Sequence, residues 1–270
     1  VTVSAFSVIK NEQDFIGHGA MSLLPHVDEI VYFDSSTDGT LRLLDYIKEK
    51  YDPSGKIKIF KNRDFTDFKE NYVKTFNECM KECSGSYLLY AHPDMILTKP
   101  GILANREQMS GLAYYVNMRS FAGEDLKTEI TKGRTNKWKT IMRNGFGLKY
   151  WGCYGDPNED MYFTAITGNQ HNVYKDMRQY PFIVEDSGIH LEHFCESKPR
   201  KRREQKMETV FKTVFNINDK GSLFDLVMNH PRVHLESQNS QFGEFEFAPR
   251  KDELPEVFSK YKDEFEAVLK

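Results

Sequence analysis

Only four cysteines (Cys79, Cys83, Cys153 and Cys195) occur in the 270 residues, and no two of them form a Cys-x-x-Cys pair. This excludes a disulfide-stapled small scaffold and reads as reduced thiols in a cytoplasmic protein. No run approaches the ~20 apolar residues that span a bilayer. The opening VTVSAFSVIK shows neither the charged segment nor the cleavage site of a signal peptide. A net charge of -3 argues against general nucleic-acid binding, although KPRKRREQK, Lys198 to Lys206, is a dense basic block. Its plain reading is the solvated face of a helix. No glycine-rich loop of the P-loop or GxGxxG kind follows the first apolar segment, which disfavours nucleotidyl transfer. Internal repeats and low-complexity tracts are also absent.

The first hundred residues alternate strand-like and helix-like segments. VTVSAFSVI, DEIVYF, KIKIF and SYLLYA read as strands; EQDFIGHGAMSLL, TLRLLDYIKEKY and DFKENYVKTFNECMKEC read as helices. Short apolar strands joined by helices of this length predict a parallel sheet with right-handed crossovers. Ligands bind such sheets beyond the carboxyl ends of the strands, so the loops after Ile9, Phe33 and Ala91 are the ones to watch.

From about Ile102 to Arg143 the rhythm breaks, and GLAYYVNMRSF and KWKTIMR read as longer, partly antiparallel strands. A helix is expected to begin at Pro157, another to cover Lys198 to Phe215, and a last one to run from Leu254 to Leu269. The segment HPRVHLESQNSQFGEFEFAPRKDE reads as irregular surface chain.

The strand SYLLYA stops at His92-Pro93-Asp94, where proline forbids further ladder pairing and two potential ligands sit two residues apart. In an extended segment, residues two apart point to the same side, so one cation can be approached by both. After the second strand, Asp34 leaves the strand end, and Ser36, Thr37 and Asp38 are turn and N-cap residues for the next helix. Asp34 can accept hydrogen bonds from a ribose or a base NH, or it can belong to a cap without a ligand. In YGDPNEDMYF, Asp156, Pro157 and Glu159 form a capping box, which leaves Asp160 without a structural task. A strand through IHLEH places His190 and His193 on opposite faces, so only one faces the site. Together with Cys79 and Cys83 these histidines match no standard zinc pattern. Tyr150, Trp151 and Tyr154 are either core aromatics or a platform on which a sugar face packs.

The series SVIKNEQDFI, DEIVYFDSSTDGT and SGSYLLYAHPDM resembles the nucleotide-binding half of the GT-A glycosyltransferases, in particular the large family-2 type. The likeness covers residues 1–98 well and is diffuse afterwards; each motif alone is modest, and their order and spacing are fairly specific. It implies a Rossmann-like mixed α/β sheet flanked by helices. Residues 1–98 would be the nucleotide-sugar-binding half, 99–197 the acceptor and catalytic half, and 198–270 a mainly helical extension. The donor would be a nucleoside-diphosphate sugar, carried by Val8, Lys10 and Glu12 of the first loop, by Asp34, and by Asn77 on the helix before Gly85.

The departure is at the metal motif, where the family usually has Asp-x-Asp and this chain has His92-Pro93-Asp94. Asp94 matches the metal-holding aspartate. His92 is either a second ligand, a phosphate or sugar contact, or a strand-end histidine satisfied by backbone. His193, by its place before the basic block, is implied as a further ligand or a diphosphate contact, and nearby Arg or Lys of that block as neutralising the leaving group. Imidazole suits Mn²⁺ better than Mg²⁺, which tilts the metal to Mn²⁺. The "ED" pair that such enzymes carry at a helix start implies Asp160 as catalytic base, with Glu159 second. The reaction so implied is inverting transfer of a sugar to an acceptor hydroxyl on a saccharide, lipid, protein or nucleobase. The competing reading is a binding module for nucleotide sugars or carbohydrates that kept the fold and lost the first metal aspartate.

Overall fold

The computed structural model describes residues 1–61, 70–132, 137–145, 149–150, 163–164, 183–184, 186–199, 202 and 246–270. In chain order its strands begin with β1 (Val3–Ile9), β2 (Glu29–Asp34), β3 (Ile57–Phe60) and β4 (Tyr87–Tyr90), joined by helices α1 (Ile16–Leu23), α2 (Thr40–Tyr51) and α3 (Glu70–Lys81). All pairings in this block are parallel, in the order β3-β2-β1-β4. The apolar runs exist because both faces of these strands are covered. Val3, Ala5 and Ile9 of β1, with Ile30 and Tyr32 of β2, join a core with α1 and α2. The alternate residues Phe6, Val8, Val31 and Phe33 pack with Phe76, Cys79 and Met80 of α3. Burial of Phe6, Phe33 and Phe76 contributes about 1.5–3 kcal/mol each.

α1 begins at Ile16 rather than at Glu12, because Glu12 to Phe15 form a turn in which Phe15 N and Ile16 N both donate to Glu12 O.

The sheet continues through β5 (Met95–Pro100), β6 (Ala113–Ala122), β7 (Thr128–Lys132), β8 (Lys137–Arg143), β11 (Ile183–Val184), β12 (Ile189–Glu196) and β13 (Glu246–Pro249), while β9 (Lys149–Tyr150) and β10 (Phe163–Thr164) form a separate antiparallel pair. Beyond β4 the order is β8, β6, β7, β13, with antiparallel neighbours, as expected for the segments after Ile102. β12 runs between β5 and β6, antiparallel to the first and parallel to the second.

Besides β7 and the short β9, β10 and β11, two further strands escape the sequence reading. The chain does not leave the sheet at Pro93: a turn closed by Met95 N on His92 O returns it as β5. Residues 246–249, expected to be irregular surface chain, form β13 on β7, and Arg250 beyond it is buried against Glu192. The last helix, α4 (Glu256–Leu269), matches its expected bounds closely and packs on α1 and α2. Gly17 opens the seat: a Cβ there would lie 2.7 Å from the Phe265 ring. The result is the mixed α/β sheet flanked by helices that the resemblance implies. Among the described residues no helix is long and apolar enough to cross a membrane.

Candidate functional site

The carboxyl ends of the parallel strands bring three loops side by side. Ile9 is in register with Asp34 and Phe6 with Tyr90, and Ala91 N donates to Phe6 O at 3.3 Å. The first and second loops are laced together. Asn11 N donates to Ser36 Oγ, Thr37 N to Asn11 Oδ1, Glu12 N to Thr40 Oγ1 and Gly39 N to Gln13 Oε1, each at 2.8 Å. Asn11 holds φ at 57°, the left-handed region that asparagine tolerates best among residues with a side chain. That is a physical reason for the asparagine in the KNE turn. Asp38 accepts from Thr40 N and Thr40 Oγ1 at the start of α2, the turn role expected of it.

β12 closes the site from the other side. Phe194 N donates to Asp94 O at 2.9 Å, and the Phe194 ring stacks between Phe15 and Phe121. A turn closed by Ser197 N on Phe194 O then brings Lys198 back over the first and third loops. The Lys198 ammonium lies 2.8 and 2.6 Å from the two Glu12 carboxylate oxygens and 2.9 Å from Asp94 Oδ2. His193 Nε2 lies 3.3 Å from Asp94 Oδ1. The His92 and His193 rings stack at 5.5 Å, and His92 Nδ1 shares a hydrogen bond with Tyr90 Oη at 3.1 Å. One turn further, Arg202 reaches Asp38 at 2.6 Å and Asp14 at 3.7 Å.

The cluster is buried, with Lys198 4% and Asp94 3% exposed. Burial pushes the Asp94 carboxyl up, but Lys198 and then His193 more than offset it, and the group titrates well below the usual carboxylate range. Burial likewise opposes the charge on Lys198, and Asp94 and Glu12 hold it above the ordinary lysine value. Desolvation raises the carboxyls of Asp14 and Asp34. Asp34 is buried at the end of β2, with Ser36 N 3.2 Å from Oδ1.

Among the residues expected to carry function, Glu12, His92, Asp94 and His193 meet in this cluster, with Asp34 on the neighbouring strand end. His193 rather than His190 faces Asp94. Val8 is a core residue under α3, Lys10 is exposed just past β1, and Asn77 donates to Val73 O within α3. Asp160 and Glu159, with Trp151, Tyr154, Asp156 and Pro157, lie outside the described residues, as does the side chain of Tyr150. Sequence reasoning missed Asn11, Asp14 and Asp38 as site groups. Its plain reading of the basic block was a solvated face, with the resemblance alone turning an Arg or Lys of the block toward the site; Lys198 and Arg202 turn inward onto carboxylates. The inward turn follows from the chain reversal after β12.

Could these side chains hold the implied cation? Both Asp94 oxygens already face a nitrogen, and among the described residues no three of His, Cys, Asp and Glu converge on one point. A divalent ion about 4 Å from an ammonium is repelled by roughly 8 kcal/mol at an effective dielectric near 20. With Lys198 in place, the donor set does not fit Mn²⁺ or Mg²⁺.

A cavity of about 310 Å³ lies at the opposite, amino edge of the sheet, lined by Ser4, Glu29, Lys58 and Ser84 among others. Glu29 there is taken up by Ser4, Ser84 and Lys58.

No protein-family model matches the chain, and no curated protein does. Solved structures are similar to it at low identity. The crystal structure of S. aureus TarS matches at 14% identity and a TM-score of 0.45, over 79% of this chain and 40% of that one. The chain therefore spans well under two thirds of that protein's length. A TarS 1-349 structure in complex with UDP-GlcNAc matches at 14% identity and a TM-score of 0.46, over 89% of this chain and 72% of that one. The structure of GalNAc-T7 with UDP, GalNAc and Mn²⁺ matches at 13% identity and a TM-score of 0.44, over 78% and 47% respectively.

Proposed function

We propose that the chain transfers a sugar from a nucleoside-diphosphate sugar to an acceptor hydroxyl, with inversion. The observation that carries this reading is the buried cluster at the carboxyl edge, in which Glu12, Asp38 and Asp94 hold Lys198 and Arg202. Open α/β sheets take ligands at that edge. Fixed cations there suit a diphosphate, and Asp34 on the adjacent strand end suits a ribose hydroxyl or a base NH. Such pre-set charge stabilises a leaving diphosphate without reorganisation at the moment of reaction.

In this reading the acceptor oxygen attacks the anomeric carbon, the bond from that carbon to the diphosphate breaks, and Asp160 takes the hydroxyl proton, with Glu159 the second candidate. The resemblance would give the charge-neutralising role to Mn²⁺ or Mg²⁺ at Asp94, with His92 and His193, but the donor set there does not fit such an ion and no step of this reaction passes through one. The acceptor is a saccharide, lipid, protein or nucleobase hydroxyl.

The test is thermal unfolding against a panel of UDP-, GDP-, CDP-, ADP- and dTDP-sugars with EDTA or Mn²⁺, followed by assay of released nucleoside diphosphate. A ligand that binds only the folded state raises the transition temperature. A shift with one nucleotide sugar and release of its nucleotide supports the transferase. A shift without turnover favours the binding-module reading, and no shift with any donor refutes the transferase and leaves at most a carbohydrate-binding module.

A further inference from the structure

The resemblance allows an Arg or Lys after His193 to help neutralise the leaving group, but it does not explain a lysine seated on the metal-holding Asp94 itself. We infer that the Lys198 ammonium is the resident cation of this site: seated on Asp94, it takes the position of a divalent metal and neutralises the donor diphosphate itself. The inference rests on the donor-binding reading above.

Three observations support it. First, the motif is short of a carboxylate. The usual Asp-x-Asp offers two to a divalent ion, whereas His92-Pro93-Asp94 offers one, and the cation found on it is an ammonium. Second, the lysine is built in. Its side chain is 5% exposed and meets Asp94 and Glu12 from two different loops at 2.9 and 2.6 Å. An ammonium taken out of water to this degree is tolerated only where carboxylates compensate it. Third, the seat is held by backbone. Phe194 N on Asp94 O and Ser197 N on Phe194 O fix the chain just before the lysine, and Arg202 N on Pro199 O fixes it just after, so its place does not depend on a flexible surface side chain finding a partner. An incoming phosphate oxygen would replace Glu12 as a partner of the ammonium, exchanging one anion for another. Asp94 would keep the lysine in place during that exchange.

Two measurements decide it. The first follows Mn²⁺ alone by electron paramagnetic resonance as wild-type protein is added. The second measures UDP, GDP, CDP, ADP and dTDP binding by calorimetry in EDTA and in Mn²⁺. Wild type should leave the free Mn²⁺ signal unchanged, and its nucleotide should bind in EDTA within about twofold of its affinity in Mn²⁺. Lys198→Met should weaken that binding by at least tenfold, which is 1.4 kcal/mol, and Lys198→Arg should restore most of it. Should Lys198→Met fail to fold, the wild-type comparison of EDTA with Mn²⁺ still decides. Sequestration of Mn²⁺ by wild type, or nucleotide binding that requires Mn²⁺, overturns the inference and leaves the transferase reading standing. Absence of binding by every nucleotide in both conditions removes the donor reading and the inference with it.

Discussion

His18 makes the seating of the C-terminal helix measurable through pH. It lies in α1 with its ring 4.5 Å from that of Phe258 and 5.2 Å from that of Phe265, and its Nδ1 is 3.1 Å from Val257 O. Burial lowers its pKa from 6.5 to about 4, although the bond to Val257 O works the other way. Above pH 6.5 the ring is neutral in both folded and unfolded chains, and the full stability is present. Between 6.5 and about 4 the unfolded chain takes up a proton that the fold refuses, so stability falls as pH falls. At 1.36 kcal/mol per pH unit, this removes about 3 kcal/mol by pH 4. His18→Phe keeps a ring against Phe258 and Phe265 and loses the hydrogen bond, at a cost near 1 kcal/mol. Urea unfolding at a series of pH values should therefore find the variant slightly less stable than wild type at pH 7.5. By about pH 4.5 it should be roughly 1–2 kcal/mol more stable, since it has no ring to protonate. Parallel stability curves for the two proteins would refute the reasoning, because a His18 not covered by α4 would be hydrated and titrate normally.

Three further substitutions probe the site and its frame. Asp160→Asn should leave nucleotide-sugar affinity unchanged and reduce transfer by about 10²-fold or more; full transfer activity in a product-release assay removes Asp160 as the base. Arg250→Ala strips Glu192 of a partner that meets both of its oxygens at 3.0 Å, leaving a buried carboxylate with, among the described residues, only Arg119 at 3.4 Å. Denaturant unfolding should show a loss of about 3–5 kcal/mol, and a loss below 1 kcal/mol would show that the pair is not buried as described. Gly85→Ala would place a Cβ 2.5 Å from Ser4 N, at the amino edge of the sheet. The expected outcome is about 1–3 kcal/mol of destabilisation with unchanged nucleotide affinity; a weakened affinity in a variant of native stability would contradict the placement of the site at the other edge.

The alternation of the first ninety residues was legible because parallel strands buried on both faces are written as unbroken apolar runs, and α2 matches its expected bounds, Thr40 to Tyr51, to the residue. β5 was hidden because Pro93 resembles a terminator and only Met95, Ile96 and Leu97 of the strand are buried. β13 was hidden because the end of its segment is charged, and those charges are neutralised by partners far away in the chain, as Arg250 is by Glu192. Asp94 and His193 could be singled out from local motifs. The inward turn of Lys198 and Arg202 could not, since a basic run on a helix has the same spelling whether it faces water or carboxylates.

By itself, then, the sequence determined the parallel half of the sheet, the loops at its carboxyl edge and the acidic residues they carry. Those properties depend on side-chain periodicity and turn chemistry, which act over a few residues. Only the tertiary structure decided that β12 slots between β5 and β6, that its exit turns back over the first and third loops, and that Lys198 meets Glu12 across 186 residues of chain. A charge pair of that separation leaves no local trace. It exists because two carboxylates brought together in a dry edge of the sheet need a cation, and the chain reversal after Phe194 supplies one.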